Sequence, residues 1–127
     1  MAPFSIRLWI TLAFMIALLV LSVIPSRAQP GGSGFIWLVA VTPPLLQKTL
    51  HVFLYAILTL LWAWTLEAVD WITARLLVPI ALAVVFGALM EALQAFIPGR
   101  YGTLYDVMLN ALGAGAGLII ALMVFDR

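Results

Sequence analysis

Four stretches of about 20 mostly apolar residues fill most of this 127-residue chain, and a helix of that length spans a bilayer core of roughly 30 Å. They run over residues 8–25, 45–66, 72–97 and 103–125. A soluble fold is excluded by quantity: 66% of the residues are hydrophobic and 9% charged, and so short a chain has too little interior to hide that surface from water. The expected architecture is therefore all-α, an integral membrane bundle of four transmembrane helices forming a single domain over residues 1–127.

Several function classes drop out at once. Without Cys the chain has no disulfide, thiolate metal site or Cys nucleophile. A single His and a net charge of +1 supply neither a transition-metal ligand set nor the basic footprint of a nucleic-acid binder. No metal, cofactor or nucleic-acid partner is expected, and the expected surroundings are membrane lipids.

The first span resembles a signal peptide in one respect, since Arg7, an apolar run and Ser26-Arg27-Ala28 follow in order. Its apolar run is long for a cleaved leader, so it is read as a retained helix. Residues 27–44 form the one long linker and open on Gln29-Pro30-Gly31-Gly32-Ser33-Gly34. Residues 35–41 are apolar but too short to span, and Trp37 suits the headgroup level. The other connections are short, so successive helices are antiparallel neighbours. Charge does not orient the bundle: Arg7, Arg75 and Arg127 fall on one side, Arg27, Lys48 and Arg100 on the other.

Antiparallel alternation nonetheless gathers the polar side chains. Lys48, His51 and Tyr55 open the second span, Glu91 and Gln94 close the third, and Asp106 and Asn110 open the fourth, with Arg27 and Arg100 in the adjoining loops. Spacings of three, four and seven place each set on one helix face. Those faces should meet protein, because a carboxylate or carboxamide turned toward lipid costs several kcal/mol. Gly113 and Gly117 on the fourth helix, and Gly87 on the third, leave room for close backbone approach. Thr103 and Asp106 match a helix-capping pattern, while Glu67 and Asp70 read as a solvated turn.

Lys48-x-x-His51-x-x-x-Tyr55, Glu91-x-x-Gln94 with Pro98-Gly99-Arg100, and Asp106-x-x-x-Asn110-x-x-Gly113 together resemble the signature of the VanZ-like membrane proteins. Ser22-x-x-Pro25 at the end of the first span fits as well, so the resemblance covers essentially the whole chain. It implies a multi-pass protein of the bacterial inner membrane with its polar cluster toward the outer face. The family's namesake is associated with resistance to teicoplanin. One position departs: the family pattern has Asp before the Lys, where this chain has Gln47.

Three functions suit these residues. The leading one is a non-enzymatic bundle whose cluster of Arg27, Lys48, His51, Tyr55, Glu91, Gln94, Arg100, Asp106 and Asn110 binds a polar or anionic lipid or cell-envelope group. The alternative is an accessory transmembrane subunit packed against a larger membrane complex, its cluster purely structural. An embedded enzyme, with Glu91 or Asp106 as base and His51 as acid, ranks third because no Ser or Cys nucleophile motif accompanies them.

Overall fold

A computed structural model describes residues 1–23, 34–97 and 103–125. They form five helices: α1 (Phe4–Val23), α2 (Gly34–Val41), α3 (Pro44–Thr65), α4 (Ile72–Gln94) and α5 (Leu104–Phe125). Four of them, α1, α3, α4 and α5, are long and apolar enough to cross a membrane. The protein is a multi-pass membrane protein with an all-α bundle.

Local chemistry sets several boundaries. Pro44 occupies the first turn of α3, where its missing N–H is not needed and its φ is already helical. At α5 the Thr103 hydroxyl donates to Asp106 Oδ2 at 2.8 Å and accepts from the Asp106 backbone N–H at 3.2 Å, which completes the capping pattern. α4 ends three residues before the expected limit. Its last turn tightens into bonds from Phe96 N–H to Leu93 O and from Ile97 N–H to Gln94 O, and an upcoming Pro98 disfavours further helix. Pro79 is fully buried inside α4 without ending it. α2, eight residues long, exposes Trp37, Leu38 and Val41 and is too short to span.

In the bundle α3 packs against α1, α4 and α5, and α4 does so against α1, α3 and α5, so α1 and α5 flank a central pair. The core holds Leu18, Tyr55, Leu58, Ala83 and Ala114. Large apolar side chains such as Phe53, Leu89, Met108, Ile119 and Met123 are exposed instead, as lipid-facing residues should be. With no water to expel, helices associate through close packing of small residues. A Cβ on Gly113 would collide with the Val52 carbonyl, and one on Gly117 with that of Ala56. Around Gly115 there is open space.

The end of the bundle away from the expected cluster carries a polar lock of its own. Arg7, 6% exposed, donates to Glu67 Oε2 and to the Trp64 carbonyl, each at 2.7 Å, and to the Ala2 carbonyl at 2.8 Å. Its guanidinium also lies 5.1 Å from the centroid of the Trp64 ring. One turn deeper the Thr11 and Thr65 hydroxyls bond to each other at 2.9 Å. Glu67, expected in a solvated turn, is thus half-buried and paired, because α1 begins at Phe4 and carries Arg7 over the end of α3. Hydrophobic run length placed the start of α1 at residue 8; a charge with this many partners extends the helix past that limit.

Two stability measurements check this packing. Gly117→Ala is expected to lower thermal stability in detergent by about 1–3 kcal/mol through overpacking, while Gly115→Ala stays neutral or gains up to about 1 kcal/mol of helix propensity. A double-mutant cycle of Arg7→Met with Glu67→Gln should return a coupling of about 0.5–3 kcal/mol, against none if the pair were solvated.

Candidate functional site

At the membrane end where α1 finishes, α3 starts and α4 finishes, a cleft of about 120 Å³ lies between the three helices. α1 contributes Leu18, Leu21 and Ser22; α3 contributes Gln47, Leu50, His51, Leu54 and Tyr55; α4 contributes Glu91 and Gln94. Thr42 lies at the rim, where its carbonyl accepts from Gln47 Nε2 at 3.0 Å.

The floor is polar and deeply set. Glu91 is 4% exposed and Gln94 equally buried. Glu91 Oε1 lies 4.0 Å from His51 Nδ1, an ion pair when the imidazole is protonated, and 3.5 Å from Asn110 Nδ2. His51 meets Tyr55 edge-on with ring centroids 6.4 Å apart. Behind Glu91, Asn110 is 1% exposed on α5. A Cβ on Gly87 would come within about 3.0 Å of both Tyr55 and Asn110, so this glycine is what lets three helices close behind the cleft.

The residues expected in one cluster divide into three groups. His51, Tyr55, Glu91 and Gln94 line the cleft, and Asn110 backs it. Lys48 and Asp106 stand apart from the lining: Lys48 is exposed with Nζ 4.7 Å from the Tyr105 ring centroid, and Asp106 is engaged with Thr103. Arg27 and Arg100 lie outside the described residues.

The stripe that α3 turns inward is Gln47, His51 and Tyr55, spaced by four, rather than one led by Lys48. Either register is compatible with helical geometry, but a carboxamide is far cheaper to desolvate than an ammonium, which reaches outward on its flexible stem. A spacing of four from His51 makes Gln47 a candidate in the sequence, but a spacing of three does the same for Lys48, so the pattern alone does not choose between them. Ser22 carried a weaker signal, as a lone hydroxyl at the end of an apolar run.

A family model described as VanZ/LLP1 matches residues 6–125. The chain belongs to the VanZ/LLP1 family. Neither a curated protein nor a solved structure matches it. Within this VanZ/LLP1 chain the matched span takes in the cleft, Arg7 and Glu67, and all of the four membrane helices but the first two residues of α1.

Chemically the cleft combines an acceptor, Glu91, with side chains that can donate and accept: His51, Tyr55, Gln47, Gln94 and Ser22. Among the described residues no three of His, Cys, Asp and Glu converge as metal ligands would. The arrangement suits hydrogen-bonded capture of a polar group, with four leucines beside it. In a thermal-stability cycle Glu91→Ala and His51→Ala should couple by about 0.5–3 kcal/mol, whereas Glu91→Ala and Lys48→Ala should add within about 0.5 kcal/mol. Additivity in the first pair would show that the imidazole and carboxylate do not interact.

Proposed function

We propose that this VanZ/LLP1-family chain is a non-enzymatic protein of the bacterial inner membrane that binds the polar part of a lipid or cell-envelope precursor in the cleft between α1, α3 and α4. The observation that carries this reading is the composition of the cleft wall: His51, Glu91, Gln94 and Gln47 stand beside Leu18, Leu21, Leu50 and Leu54. A purely structural polar network tends to close on itself, because every buried polar group left over is costly. Here the buried side chains of Glu91 and Gln94 also border open space. Amphiphilic lining matches an amphiphilic ligand, and ligand sites in bundles are built between helices from a few convergent polar groups.

The charge of the lining bears on the ligand. Among the described residues the cleft wall contains a carboxylate and a histidine but no Lys or Arg, which favours a hydrogen-bonding polar group over a simple anion.

Native mass spectrometry of the protein extracted from bacterial membranes in mild detergent tests the reading. The unaltered chain is expected to carry bound lipid. Gln94→Ala, which removes a lining carboxamide, should reduce the lipid-bound fraction about tenfold, the effect of one good hydrogen bond. No lipid adduct, together with a larger membrane protein copurifying at fixed stoichiometry, would replace this reading with that of an accessory subunit.

A further inference from the structure

The floor of the cleft lies within the membrane-spanning lengths of α3 and α4. At 1.5 Å per residue, His51 is about 10 Å from the start of α3 and Glu91 about 5 Å from the end of α4. A head group reaching them must leave most of its water behind, so each polar atom it brings needs a partner in the protein. The room is small. About 120 Å³ is on the order of the roughly 150 Å³ that accommodates a benzene-sized molecule, which gives room for a few heavy atoms at the floor.

The apolar side of the cleft supplies the route. Leu50 lines it and is also 44% exposed, on the outer surface of a membrane-spanning helix. Across from it stand Leu18 and Leu21 of α1. The α1 and α3 side of the cleft is therefore lined by leucines, of which Leu50 is exposed on a membrane-spanning helix. Arg7 and Thr11 of α1 bond to α3 at the opposite membrane end, and at this end α1 contributes two leucines and a serine to the cleft.

Resting on the reading of the cleft as a lipid-binding site, we infer that its ligand is a lipid with a small head that donates hydrogen bonds, an ammonium or hydroxyl, and that it enters sideways from the bilayer. The head sits on Gln47, His51, Glu91 and Gln94, and an acyl chain leaves between α1 and α3 through a seam past Leu21 and Leu50. Recognition is by size and by donors: Glu91 accepts, and the carboxamide oxygens of Gln47 and Gln94 can accept as well. A trimethylammonium head of the same net charge offers no N–H and is wider, so it is excluded on both counts. A lone polar head in water, lacking a chain for the seam, gains little.

The test uses the full chain in nanodiscs holding equal parts of phosphatidylethanolamine, phosphatidylglycerol and phosphatidylcholine with identical acyl chains, read by native mass spectrometry after release into detergent. Retention of the ethanolamine and glycerol lipids about tenfold above the choline lipid is expected, the effect of at least one good hydrogen bond. Leu50→Trp, which fills the seam from an already exposed position, should abolish that preference; Leu45→Trp, exposed and outside the cleft, should keep it. Excess glycerophosphoethanolamine should not compete. Equal retention of all three lipids that still falls in Gln94→Ala would overturn the head-group assignment while leaving lipid binding in the cleft intact. An unchanged preference in Leu50→Trp, or competition by the soluble head, would overturn sideways entry. Loss of all lipid from the unaltered chain would remove the binding reading itself.

Discussion

Inside a bilayer a polar side chain has no water to turn to, and each one placed in a membrane-spanning helix must find its partner in protein or reach the surface. In this chain that demand acts at both ends of the bundle. Near one end Arg7 collects the Glu67 carboxylate, two backbone carbonyls and the face of Trp64. Near the other, Glu91 is turned inward with His51 and Asn110. Between them the threonines solve the same problem locally: the hydroxyls of Thr11, Thr59 and Thr65 bond to carbonyls one turn back on their own helices. Helix rotation follows from these needs, since inward polar positions dictate which apolar side chains are left to face lipid.

Close packing makes the inward rotation possible. Backbone approach at Gly113 and Gly117 brings α5 against α3, and Gly87 gives Tyr55 and Asn110 a shared space behind Glu91. α1 packs on the other side of the central pair and completes the cleft with Leu18, Leu21 and Ser22. The two ends differ in consequence. Around Arg7 the polar groups close on one another and act as a clamp, whereas around Glu91 they border open space beside leucines. The second arrangement is the one we propose as a binding site, and membership of the VanZ/LLP1 family fixes the kind of membrane chain in which it occurs.

Much of this was legible in advance, for reasons that differ from residue to residue. Span number follows from the lengths of apolar runs, and antiparallel alternation then places His51, Glu91 and Asn110 at one membrane end without any knowledge of side-chain packing. The Thr103 and Asp106 cap is local and so could be read directly. Lys48 and Gln47 could not be told apart this way, since neighbours on a helix differ only by a rotation that hydrophobic patterning leaves loose near a membrane surface. Glu67 was misread as solvated because its partner, Arg7, lies 60 residues away in the chain.

Sequence alone therefore determined the solvent, the number of spans, their order and the end of the bundle at which polar residues gather. Each of these depends on hydrophobic run length or on alternation along the chain, and neither needs contacts between distant residues. Tertiary structure decided which of those polar residues line a cleft, that α1 supplies one wall of it, and that Arg7 is a clamp rather than a flanking charge. Those outcomes rest on rotation about helix axes and on pairings between separate helices, where a turn of 100° from one residue to the next exchanges Lys48 for Gln47 and a surface charge for a site.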